Sequence, residues 1–134
     1  MLTFGSESKY LESEGEKYSH EETANIMSNY IKELGFEDEL ELNFQPNLIT
    51  RTSKTYDPKL CTNKVNVRIP VNYRRDNILG VLDHEVGTHF MRRYNEKFQP
   101  WFNKKGKYEM KSCMATEEGL ANINQLVRTA WAKP

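Results

Sequence analysis

Sulfur chemistry is nearly absent from this chain. Its two cysteines, Cys61 and Cys113, stand alone without C-x-x-C spacing, which argues against a disulfide framework or a thiolate metal site and leaves two ordinary free thiols. Long apolar runs are missing as well. None approaches the roughly 20 residues that span a bilayer, and the opening MLTFGSESKYLESEGEKYSH has neither a basic n-region nor an apolar h-region. The chain therefore reads as cytosolic, with no membrane partner. With 134 residues, 37% of them hydrophobic and 11% aromatic, it is polar for its size and long enough for one modest globular domain. Net charge is absent only on average. Residues 1–41 hold 3 Lys/Arg against 11 Asp/Glu, a local charge of −8, and residues 42–134 hold 16 against 8, or +8. A basic half around a cleft steers acidic substrates; alternatively the acidic segment covers the basic one or stays solvated.

What is present is helical and strand-like periodicity. Residues 1–18 are acidic, Ser-rich and poor in aliphatics, which predicts a disordered or loosely packed lead-in before a single domain over 19–134. Ser19 and Glu22 fit a capping box, and Ala24, Met27, Tyr30, Ile31 and Leu34 form a stripe that Gly35 ends, predicting a helix over 19–35. Period-two alternation in ELELNF (Leu40, Leu42, Phe44) and KVNVRIP (Val65, Val67, Ile69) predicts two strands, the second ended by Pro70. The mixed QPNLITRTSKTYDPKLCTN between them reads as a functional loop or a concealed short strand. A buried helix starting at Asp76 carries Ile78, Leu79, Leu82, Val86, Phe90, Met91 and Tyr94, and a further helix opens near Thr116 with Leu120, Ile123 and Val127. The basic 104–107 patch KKGK beside aromatics reads as a solvated turn, not a nucleic-acid site.

Chemistry concentrates in 84–89, His-Glu-Val-Gly-Thr-His. Two of the three histidines of the chain stand here, five positions apart, where a regular α-helix would leave them about 140° apart on the helix wheel. Gly87 between them costs about 1 kcal/mol against Ala in a helix interior, so its presence points to a local backbone requirement. A single-turn π-bulge meets that requirement, returning both imidazoles to one face. About thirty residues downstream, 115-ATEEGLA-121 opens the further helix, and both Glu117 and Glu118 qualify as a third ligand; on an ideal helix Glu118 shares a small, polar face with Ala121, Asn122 and Gln125, whereas Glu117 sits above Leu120 and Ala121. The bland alternatives are two packed histidines and acids favoured by the helix dipole.

HEVGTH followed by TEEGLA, with FQPW at 98–101 between them, resembles the microtubule-associated tyrosine carboxypeptidases and their bacterial relatives, in which Gln-Glu-Gly-Leu-Ala stands where this chain has Glu117 to Ala121. The similarity runs from about Val65 to Val127. The resemblance implies an α+β fold with a zincin-like metallopeptidase core, a small antiparallel or mixed sheet packed on the His-Glu-x-x-x-His helix and a second, glutamate-bearing helix. It implies one Zn²⁺ held by His84, His89 and Glu118, with Glu85 as catalytic base. It also implies a cytoplasmic, cytoskeleton-associated carboxypeptidase that removes tyrosine from an acidic protein tail such as that of α-tubulin. Two alternatives stay open, a zinc peptidase with another protein substrate and an inactive metal-binding, partner-binding domain. Members of the family are longer on both sides of this region, so the resemblance implies a fragment or a minimal member. A carboxypeptidase needs a cation for the substrate's terminal carboxylate, and Arg51, Arg68, Arg74 and Arg75 are the candidates, none singled out by the sequence. The KVNVRIP strand offers an edge to an extended peptide, although an ordinary sheet strand is the commoner role.

Overall fold

The computed structural model describes residues 6–57 and 62–131. Along the chain these form helix α1 (Glu7–Ser13), helix α2 (His20–Glu33), strands β1 (Leu40–Gln45), β2 (Thr52–Asp57) and β3 (Thr62–Arg68), and then a continuous helical stretch. That stretch comprises α3 (Ile78–His84), a π-helical segment (Glu85–Phe90) and α4 (Met91–Glu96). A 3-10 turn (Lys105–Tyr108) leads to α5 (Met114–Trp131). The described residues are thus α+β with a small mixed sheet. Cys61 lies outside them, and Cys113 is an exposed free thiol.

Helix α2 begins where its cap requires. The Ser19 hydroxyl accepts from Glu22 N at 3.2 Å, and the Glu22 carboxylate accepts from Ser19 N at 2.8 Å, so two otherwise orphaned N–H groups are satisfied. Gly35, at φ +75°, turns the chain out of the helix. Met27, Tyr30 and Ile31 face inward.

The sheet order is β1-β3-β2, with β1 parallel and β2 antiparallel to β3. β3 is therefore the middle strand. Val65 and Val67 on it are fully buried, and both of its edges are occupied, so it cannot take up an extended peptide. The middle of the stretch read as a loop or a concealed short strand supplies β2, an outer strand. Asn43 donates to Asn66 and Asn66 to Thr55, each at 2.9 Å, which ties the three strands together through side chains.

Ile78, Leu82, Val86 and Phe90 form the buried ridge of the long helical stretch, against Met27, Ile31, Val65, Val67 and Tyr73. Each fully buried aliphatic or aromatic side chain there contributes about 1.5–3 kcal/mol. Leu79, expected on the same face, is 37% exposed. The helix starts one residue later than its sequence suggests, with Asn77 before Ile78.

Residues 6–18, expected to be loosely held, pack against the approach to α3. Glu14 is buried and accepts from Asn77 Nδ2 and from the Tyr10 hydroxyl, both at 3.0 Å. The Asp76 and Arg75 amides donate to the Glu14 and Glu16 carbonyls, and the Tyr18 amide to that of Tyr73. Burying that carboxylate together with its donors gives an acidic segment enough local contact to order without an apolar core of its own.

Candidate functional site

His84 is the last residue of α3 and His89 lies in the π-helical segment. The widened turn absorbs the extra residue, and the two rings come within 5.0 Å of each other, centroid to centroid. The Thr88 hydroxyl donates to the Asp83 carbonyl at 2.9 Å and accepts from Asn124 Nδ2 of α5 at 2.8 Å. A threonine five residues on thus bridges the carbonyl of the widened turn and fastens the turn to α5.

α5 brings the two glutamates to different sides of His89. Glu118 Oε1 lies 3.3 Å from His89 Nε2, and Oε2 lies 3.8 Å from His84 Nε2. The two Nε2 atoms are 3.3 Å apart. One ligand atom from each of His84, His89 and Glu118 falls within 4.8 Å of the others, a group that could hold a metal ion. Glu117 instead meets the far nitrogen of His89, with Oε1 2.6 Å from Nδ1. The sequence favoured Glu118, and the structure brings Glu118 to the two histidines; the two acids part because successive residues on a helix point about 100° apart.

Glu85 lines the same cleft, a space of roughly 430 Å³ with Thr50, Thr52, Ser53 and Lys54 on one wall and His84, His89, Glu117 and Glu118 on the other. Burial pushes the Glu85 carboxyl above its ordinary range, and Glu118 adds to the rise while His89 and Lys54 oppose it. Burial lowers the His84 pKa, with a smaller push from His89, against the pull of Glu118 and a hydrogen bond to Gln125. A carboxylate that holds its proton more tightly than usual beside His84, an imidazole that holds its proton less tightly, suits a base next to a cation site.

The cations that line this cleft are Lys54, Arg92 and Arg93. Arg51, Arg68, Arg74 and Arg75, the candidates for a terminal carboxylate, are not among its lining residues. Arg68 donates to the Ile49 carbonyl at 3.1 Å, Arg74 to the Gly15 carbonyl at 2.8 Å, and Arg75 pairs with Asp76 at 3.2 Å. Arg51 contributes its carbonyl, which accepts from the Tyr73 hydroxyl at 3.1 Å. Sequence reasoning passed over Lys54 because its strand was hidden in a polar stretch. It passed over Arg92 and Arg93, although both follow His89 within one helical turn and that spacing was a usable signal.

No family model matches the chain. Individual relatives do. Microtubule-associated tyrosine carboxypeptidase 1 of Homo sapiens is 28% identical over 104 residues, covering 76% of this chain and 21% of that protein. MATCAP2 of Mus musculus, named provisionally as a tyrosine carboxypeptidase, is 33% identical over 100 residues, 73% of this chain and 19% of the relative. The human MATCAP2 is 34% identical over 94 residues, or 69% and 18%. The chain spans about a fifth of the length of the curated relatives it matches.

Proposed function

From its relation to the microtubule-associated tyrosine carboxypeptidases, which extends over about three quarters of this chain, we propose that the protein is a zinc-dependent metallocarboxypeptidase with a zincin-like core. The observation that carries the reading is the convergence of His84 Nε2, His89 Nε2 and Glu118 on one point, with Glu85 in the same cleft. Its donor set fits the metal: two imidazoles and a carboxylate are a common catalytic zinc set that leaves a fourth position open. Two nitrogens each about 2.0–2.1 Å from a tetrahedral zinc stand about 3.3–3.4 Å apart, and the two Nε2 atoms are 3.3 Å apart. Held by His84, His89 and Glu118, zinc would supply Lewis acidity, lowering the pKa of water and polarising the scissile carbonyl.

The chain's own residues do the rest. Glu85 takes a proton from the attacking water as its oxygen bonds the carbonyl carbon. It returns that proton to the departing amine as the C–N bond breaks, which leaves a free amino acid and a shortened chain. A raised pKa favours this double duty, since the carboxylate must both accept and give back the proton. Lys54 and Arg93 are the cations available in the cleft for the substrate's terminal carboxylate. β2 is an outer strand whose Thr52, Ser53 and Lys54 line the cleft, so an extended peptide can pair along it. The substrate is a protein with an acidic C-terminal tail ending in tyrosine, of the α-tubulin kind, met in the cytoplasm at the cytoskeleton.

Incubation of zinc-loaded protein with a peptide ending in Glu-Glu-Tyr tests the reading. Free tyrosine should appear, and Glu85→Gln should slow its release by about 10²- to 10⁴-fold while zinc content and circular dichroism stay unchanged. His84→Ala and Glu118→Ala should each lose stoichiometric zinc. Zinc bound by a wild type that releases no residue from any tail would favour a metal-binding, partner-binding domain, and release of a different residue would favour another protein substrate.

A further inference from the structure

We infer that Glu117 is a positioning residue: it receives the Nδ1 proton of His89 and thereby aims the Nε2 lone pair at the point shared with His84 and Glu118. The inference rests on the metal-site reading above. A neutral imidazole offers one N–H and one lone pair, and the partner of one nitrogen decides which atom carries the proton. An ionised carboxylate only accepts. With Glu117 Oε1 2.6 Å from Nδ1, the proton belongs on Nδ1 and the lone pair on Nε2. A hydrogen bond of this kind, from a ligand histidine to a carboxylate behind it, fixes both ring orientation and donor strength.

The surroundings keep Glu117 in that role. Its side chain is 12% exposed, whereas that of Glu118 is 52% exposed. Its second oxygen, Oε2, is ion-paired with Arg92 Nε. Arg92 also binds Glu96 at 3.1 Å, and Glu96 binds Lys105 at 2.6 Å. Guanidinium has no acceptor atom, so it cannot compete for the His89 proton. It holds the carboxylate instead and so prevents Glu117 from swinging towards the shared point and becoming a ligand. Behind His89, charges thus alternate from Glu117 through Arg92 and Glu96 to Lys105, and the two adjacent glutamates of EEGLA acquire separate tasks.

Two measurements test this. Chelator competition compares zinc affinity in wild type, Glu117→Ala and Glu117→Gln, and nitrogen-15 NMR of the metal-free proteins reads the His89 tautomer. Glu117→Ala should still bind one zinc per chain but about 10- to 100-fold more weakly. Glu117→Gln, which keeps one acceptor oxygen, should lose less. Metal-free wild type should carry the His89 proton on Nδ1, and Glu117→Ala should lose that preference. Wild-type affinity in Glu117→Ala, or equal losses in the Ala and Gln variants, would overturn the positioning role. Zinc lost outright from Glu117→Ala but kept by Glu118→Ala would overturn it too, by making Glu117 the ligand. Should the wild type bind no zinc, the metal reading fails, and the metal-free tautomer alone decides whether Glu117 sets His89.

Discussion

Lys54 is a cation held where cations are unwelcome. Burial, with Arg93 close by and smaller pushes from Arg92 and Lys97, lowers its pKa from 10.5 to about 8, and Glu117 recovers only part of the loss. Its ammonium stands 5.9 Å from the Phe90 ring centre. The unfolded chain binds this proton up to about pH 10.4, so the folded state is disfavoured by Lys54 below about pH 8 and relieved of the penalty as pH rises from there. Lys54→Met should therefore raise the melting temperature of metal-free protein by a few degrees at pH 7, with the gain shrinking towards pH 10.5. A gain of equal size at both pH values would mean that Lys54 titrates as an ordinary surface lysine. With Lys54 receiving the terminal carboxylate, as proposed above, the same variant should raise KM for a peptide with a free terminal carboxylate.

At the scale of elements, the π-helical turn owes its glycine to a neighbour. The sequence reading assigned Gly87 to the backbone needs of a bulge, and the π-helical segment Glu85–Phe90 contains it, without the positive φ that would by itself require glycine. A Cβ there would stand 3.0 Å from the Tyr30 hydroxyl, which donates to Asp83 Oδ1 at 2.6 Å. Gly87→Ala gains about 1 kcal/mol of helix propensity but displaces a part-buried hydrogen bond to a charged group worth about 1.5–3 kcal/mol. The net expectation is a loss of about 1 kcal/mol, read as a lower urea midpoint; a higher midpoint would show that Tyr30 yields without cost. The helices that carry the site were legible because their apolar spacing, the capping box of α2 and the five-residue gap between histidines are all local signals. β2 was legible only as one alternative, a short strand concealed in a long mixed stretch, since TSKTYD has no aliphatic alternation and becomes a strand by pairing with β3. Glu118 was preferred as the ligand from its helix face, but the contact of Glu117 with the far nitrogen of His89 was not legible, because it depends on which side of the ring each acid reaches. Four arginines were candidates from charge alone, and charge carries no direction.

Across the whole molecule, the two poles of charge meet through backbone hydrogen bonds and through the Lys64–Glu41 ion pair at 3.5 Å. Residues 14–18 lie along 73–76, with Arg74 held by the Gly15 carbonyl. No helix among the described residues is long and apolar enough to cross a membrane. α5 presents Leu120, Ile123, Leu126 and Val127 outward, each about half exposed or more, while Ala121 is fully buried and Asn124 holds Thr88. Its far end is fastened once more: Arg128 Nε reaches Asp83 Oδ2 at 2.8 Å, on the carboxylate that Tyr30 also binds. Ten residues separate Arg128 from Glu118, about 15 Å along the axis. That makes α5 a lever with Asn124 as its fulcrum, the carboxylate of Glu118 at one end and an ion pair at the other. An exposed pair of this kind is worth at most about 1 kcal/mol to the fold, so Arg128→Ala should scarcely move the melting temperature. It should nonetheless weaken zinc binding several-fold, because unlatching one end lets the other drift from the histidines. If chelator competition finds the affinity unchanged, the helix is stiffly seated along its whole length and Arg128 is only a surface charge.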